Sequence, residues 1–128
     1  MTQTIDWAAL LKAAKSARQN AYAPYSNYSV GAAILAGDQV FSGCNVENAS
    51  YPVGICAERT ALATAVAAGS RDLRAIVVVT SGPPVPPCGM CRQALAEFNA
   101  DIPIMMVGDE EQVSTTLSSL LPNPFAFS

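Results

Sequence analysis

The chain contains no histidine. That absence excludes Ser-His-Asp and Cys-His catalysis, histidine-ligated zinc and the usual imidazole acid–base roles. Charge is also scarce, at 13% of residues, where a typical globular domain carries about 25%. With so little polar side chain to spread over the surface, part of that surface is expected to be covered by another subunit. Seven Lys+Arg stand against ten Asp+Glu, a net charge of −3 with a pI of about 4.7. No basic cluster exists to displace counterions from a nucleic-acid backbone, so no nucleic-acid partner is expected. No stretch approaches the roughly 20 apolar residues of a membrane span, so no membrane partner is expected either. Met1-Thr2-Gln3-Thr4 lacks the basic start and apolar run of a signal peptide. The expected compartment is therefore the cytoplasm, where thiols stay reduced.

What is present is an apolar chain of 128 residues, 51% hydrophobic. That length fits one domain, residues 1–128. Trp7, Leu10, Leu11, Ala14, Ala17 and Ala21 recur at helical spacing, which predicts a first helix capped by Thr4 and stopped near Tyr22-Ala23-Pro24. Residues 29–35 and 39–45 read as strands joined tightly through Ala36-Gly37-Asp38, hence an antiparallel hairpin. An Ala-rich helix over 57–68 ends at Gly69, and the valine-rich run 75–80 fits a buried central strand. A proline-rich loop leads to a helix over 89–98, a strand over 102–107, an edge strand over 112–115 and a last short helix up to Leu121-Pro122. The order α-β-β-α-β-α-β-β-α implies a mixed sheet with helices on both faces, an α/β fold.

Chemistry must come from the four cysteines, the carboxylates and a metal. Cys56 opens one helix, and Cys88-Gly89-Met90-Cys91 opens another. Each helix follows a strand and loop, so both N-termini open at the sheet edge where α/β folds bind ligands. Helix N-termini favour thiolates. Three thiolates suit zinc, and three protein ligands with an open fourth position describe a catalytic site. Glu58, two residues after Cys56, is placed to lean over that position and take a proton from a zinc-activated water. Cys44 reads as a small buried hydrophobe. Its rival reading, as fourth ligand of a closed structural zinc, would leave no open site.

These residues carry a family resemblance. Cys56-Ala57-Glu58 followed by Pro87-Cys88-Gly89-Met90-Cys91 is the three-cysteine variant of the zinc deaminase pattern. Tyr22-Ala23-Pro24-Tyr25-Ser26, Gly43-Cys44-Asn45-Val46-Glu47-Asn48-Ala49, Cys91-Arg92-Gln93 and Leu120-Leu121-Pro122 extend the likeness along nearly the whole chain. It resembles the small homotetrameric zinc-dependent cytidine deaminases.

The resemblance implies a three-layer α/β/α fold with a mixed five-stranded sheet, and one Zn²⁺ per subunit on Cys56, Cys88 and Cys91. It implies a hydrolase acting on a cyclic amidine C–N bond. Cytidine and deoxycytidine would become uridine and deoxyuridine, in pyrimidine salvage, by zinc-activated hydroxide attack at C4. Glu58 would be the catalytic proton shuttle, and the carbonyl of Ala57 would accept from the exocyclic amine. Asn45 and Glu47 would bind the ribose 3′-hydroxyl, and Ala49 also matches a substrate-binding position. Tyr28, where the family has Phe, would stack on the base. Tyr51 and Phe125 match positions that reach a neighbouring subunit's site, in a homotetramer with shared sites. Arg59 and Arg92 match positions that soften the net negative charge of a three-thiolate zinc through its sulfurs.

Glu47 can accept from a hydroxyl but would repel a phosphate, and no phosphate loop lies nearby, so a nucleoside is the expected substrate. Two other readings stand beside this one: a deaminase of another aminopyrimidine nucleoside, such as a nucleoside antibiotic, and a non-catalytic zinc-binding oligomeric scaffold.

Overall fold

The computed structural model of the protein describes residues 4–127. Helix α1 spans Trp7–Arg18 and is capped by Asp6, not Thr4. The Asp6 carboxylate accepts from the Ala9 N–H at 3.1 Å, placing a negative charge at the positive end of the helix dipole. The helix also stops earlier than the apolar spacing predicts. After Arg18 the N–H groups of Gln19, Asn20 and Ala21 reach back only to the carbonyls of Ser16, Ala17 and Arg18. The Tyr22 N–H is then taken by Asn45 O at 3.0 Å. That bridge pulls the chain out of the helix and across the start of the next loop.

Strands β1 (Gly31–Ala36) and β2 (Gln39–Cys44) form the antiparallel hairpin. A 3-10 turn at Tyr51–Val53 leads into α2 (Ala57–Ala67). Then come β3 (Leu73–Val79), α3 (Gly89–Ala96), β4 (Pro103–Val107), β5 (Gln112–Thr116) and α4 (Leu117–Leu120). The five strands run in the order β2-β1-β3-β4-β5. β3 and β4 pair in parallel, as the α3 crossover between them demands. The other neighbours are antiparallel.

The centre of the sheet alternates between two cores. Ala75, Val77 and Val79 of β3 pack with Ala33 and Leu35 of β1 against Leu10 and Ala14 of α1. Ile76 and Val78 pack with Ala32 and Ile34 against Ala57, Ala61 and Ala65 of α2 and Leu95 of α3. Helices therefore cover both faces, and β1 and β3 read as continuous apolar runs because both of their faces are buried. The run begins at Leu73, earlier than the valines suggest.

One glycine sets the height of α2 over the sheet. A Cβ on Gly43 in β2 would lie 2.4 Å from the Ala61 nitrogen and 2.9 Å from the Ala57 carbonyl oxygen. Only a residue without a side chain lets α2 sit this close. Gly69, at φ +87, ends the same helix in a conformation that favours glycine. Among the described residues, no helix is long and apolar enough to cross a membrane.

Candidate functional site

Cys56 and Cys88 are the N-cap residues of α2 and α3, and neither side chain caps its helix. Two helix N-termini thus converge with a sulfur at each tip, and Cys91 adds a third from the first turn of α3. The Sγ atoms lie within 4.8 Å of one another, with Cys56 to Cys88 at 3.7 Å and Cys88 to Cys91 at 3.4 Å. Tetrahedral zinc with Zn–S bonds of about 2.3 Å holds its sulfurs about 3.8 Å apart. Spacing and donor type therefore both fit zinc. Cys44 lies on β2, paired across the hairpin with Gly31, and is not part of this group. The donor set is three sulfurs, which leaves a fourth position open.

The thiols are electrostatically unequal. Cys56 is held well below the ordinary thiol range, first by the hydrogen bond from Cys91 and then by Arg59. Cys91, which donates that bond and is buried, is pushed up. Arg59 places Nη2 3.9 Å from Cys56 Sγ, and its Nε is buried without a hydrogen-bond partner. Arg92 takes another route. Its guanidinium donates to the carbonyl of Pro87 at 2.7 Å and to that of Leu120 at 3.0 Å. It ties the loop entering Cys88 to the end of α4.

Glu58 sits in the first turn of α2, only 5% exposed. Burial raises its pKa, and the neighbouring Cys56 thiolate adds to the rise. A carboxylate raised in this way is suited to take a proton and give it back. Ala57 is the first residue of α2. Its carbonyl enters the helix ladder towards Ala61, while its N–H is one of the donors that a helix start leaves unsatisfied. Ala57 can therefore offer a ligand its N–H as well as the second lone pair of its carbonyl.

Cys56, Ala57, Glu58 and Cys88 line a cleft of about 380 Å³ that also holds Tyr28, Asn45, Glu47 and Arg59, a volume within the usual range for small-molecule sites. Asn45 Oδ1 accepts from the Val30 N–H at 2.8 Å, and its Nδ2 donates to Tyr28 O at 2.9 Å. Glu47 Oε1 accepts from the backbone N–H of Tyr25 at 3.0 Å and of Ser26 at 3.1 Å. Its Oε2 accepts from the Ser26 hydroxyl. These donors, the Ser26 hydroxyl foremost, hold the Glu47 carboxyl below its ordinary pKa.

Three of the expected substrate residues lie off this cleft. Ala49 is in an exposed bend. Tyr51 is 80% exposed beside Tyr25, at 6.5 Å between ring centroids. Phe125 is 68% exposed, and its backbone exchanges two hydrogen bonds with the Gln93 side chain on α3. Reasoning from sequence also passed over lining residues. Thr80, at the end of β3, is buried with its hydroxyl on Pro83 O at 3.3 Å, and Val85, Pro86 and Met90 come from the loop and helix around the cysteines. No spacing signal singles them out, because the fold alone brings them there.

Comparison with known proteins agrees with this geometry. The model of the cytidine and deoxycytidylate deaminase zinc-binding region matches residues 5–107. A cytidine deaminase from Sporosarcina psychrophila is 48% identical over 124 residues, covering 91% of this chain and 89% of that protein. Another, from Halalkalibacterium halodurans, is 49% identical over 122 residues, 91% of either chain. The crystal structure of cytidine deaminase from Burkholderia pseudomallei superposes with a TM-score of 0.88 at 46% identity, covering 98% of this chain and all of that one. A three-sulfur centre at two helix tips, a buried glutamate beside it and this breadth of likeness place the chain in the zinc-dependent cytidine and deoxycytidylate deaminase family.

Proposed function

We propose that this protein hydrolyses cytidine and deoxycytidine to uridine and deoxyuridine, releasing ammonia, as a single catalytic domain acting in cytoplasmic pyrimidine salvage. The observation that carries the reading is the buried Glu58 beside three sulfurs spaced for zinc, in a cleft that ends in Asn45 and Glu47. Zinc held by Cys56, Cys88 and Cys91 supplies Lewis acidity, which lowers the pKa of water towards neutrality.

The chain's own groups do the rest. Glu58 takes the water proton, delivers it to ring N3 and then helps protonate the departing amine. The Ala57 N–H donates to an acceptor on the pyrimidine, and Tyr28 stacks on the ring. An ionised carboxylate offers about four acceptor sites, and Glu47 already uses three on Tyr25 and Ser26. That leaves one for the ribose 3′-hydroxyl. Asn45 likewise keeps one N–H beyond the bond it gives to Tyr28 O.

The same reading includes a homotetramer in which Tyr51 and Phe125 complete a neighbouring subunit's site, with Ala49 contributing to substrate binding. Its support is the exposure of large apolar groups: Tyr51, Val53, Met90 and Phe125 are each at least 64% exposed on the protomer. The test compares cytidine with an aminopyrimidine nucleoside antibiotic, by kcat/KM on the same preparation. Preference for cytidine supports the proposal, and preference for the antibiotic replaces the substrate. Zinc-replete protein with no turnover of either would mark a scaffold.

A further inference from the structure

The residues proposed for the base and for the ribose belong to one hydrogen-bonded frame, and a residue with no role so far stands at its junction. Ser26 donates its hydroxyl to Glu47 Oε2 and accepts the Tyr28 N–H on the same oxygen at 3.0 Å. Its own N–H goes to Glu47 Oε1 at 3.1 Å. Tyr28 is thus held at its N–H by Ser26 and at its carbonyl by Asn45, the latter at 2.9 Å. Between Ser26 and Tyr28 the chain passes through Asn27 at φ 56, a left-handed conformation that asparagine tolerates better than most residues. The turn is closed by the Asn27 N–H on Ala23 O at 3.0 Å. A tight turn of this kind fixes the direction in which Tyr28 leaves it.

We propose that Ser26 is a positioning residue that sets both ends of the nucleoside cleft, aiming the Glu47 carboxylate at the sugar and the Tyr28 ring at the base. The inference rests on the cytidine reading above and deepens it. Ser26 touches no reacting atom. It acts on substrate binding through Glu47 and Tyr28. Loss of its hydroxyl frees one carboxylate oxygen to turn and removes the acceptor for the Tyr28 N–H. Hydrogen bonds to charged groups are worth enough to shift binding by about tenfold.

The test is steady-state kinetics of the zinc-loaded protein with cytidine and with 3′-deoxycytidine, for Ser26→Ala, Ser26→Thr, Glu47→Gln and the Ser26→Ala/Glu47→Gln double variant. Ser26→Ala should raise KM for cytidine about tenfold and leave kcat within about twofold. The penalty for lacking the 3′-hydroxyl should shrink, and Ser26→Thr, which keeps the hydroxyl, should restore KM. In the double variant the Ser26→Ala effect on sugar discrimination should vanish, because Ser26 acts through Glu47. An unchanged KM, a loss confined to kcat, or full additivity with Glu47→Gln would overturn the proposal while cytidine turnover by the wild type stands. Failure of the wild type itself to deaminate cytidine would overturn the cytidine reading and this inference with it.

Discussion

Arg59 and Arg92 each follow a site residue directly, yet the two cations make different contacts. Three thiolates on Zn²⁺ carry a net −1 charge, which weakens a Lewis acid. Arg59 is placed to offset it, with Nη2 3.9 Å from Cys56 Sγ and a buried Nε facing no oxygen partner. Arg59→Ala should therefore lower kcat about tenfold or more while most of the zinc stays bound. Loss of zinc in proportion to activity would contradict this. Arg92 spends its donors on the carbonyls of Pro87 and Leu120, so Arg92→Ala should loosen the loop that presents Cys88. Chelator competition should then show weaker zinc binding, with turnover of the fully loaded protein changed less. Adjacency to the site residues was legible in the residue order. Which atoms each guanidinium reaches was not, because α4 and the proline loop meet only in the folded chain. The Ala57 backbone teaches the same lesson: its place in the motif was plain, but that its N–H stands at an open helix start depends on where the helix begins.

At the level of elements, the site depends on how closely α2 lies on β2. Gly43 permits the approach, and α2 carries Cys56 and Glu58 at its start. Gly43→Ala forces its methyl against the Ala61 nitrogen and should cost about 1–3 kcal/mol. A lowered Tm in thermal unfolding would register that cost, and weaker zinc binding would follow as Cys56 shifts away from Cys88. Unchanged Tm and zinc affinity would refute this account of the helix seat. The two central strands, the hairpin and the three longer helices were readable from apolar runs and turn residues, since burial on two faces leaves a plain pattern at β1 and β3. Ends were less readable. Asp6 outcompetes Thr4 as cap because its carboxylate reaches the Ala9 N–H, and α1 stops early because Asn45, far along the chain, claims Tyr22. Both outcomes depend on contacts that local periodicity does not contain.

At the scale of the whole molecule, the proposed homotetramer would complete each cleft from a neighbouring subunit. Tyr51 and Phe125 stand exposed on the protomer and outside its own cleft, as residues that serve a neighbour would. Shared sites make a distinctive prediction. Glu58→Gln and Phe125→Ala subunits, refolded together, should form mixed oligomers more active than the average of the two parents, because intact Glu58 then meets intact Phe125 across an interface. Activity equal to the average would contradict shared sites. Catalysis itself rests on the zinc centre and its glutamate in the proposed mechanism. It is tested most directly by following the ultraviolet absorbance of cytidine with wild-type and Glu58→Gln protein, zinc being quantified on the same samples. The account predicts conversion to uridine by the wild type and a fall of about 10²-fold or more in Glu58→Gln, with zinc bound equally in both. Cytidine left unchanged by zinc-replete wild type, or converted undiminished by Glu58→Gln, would contradict it.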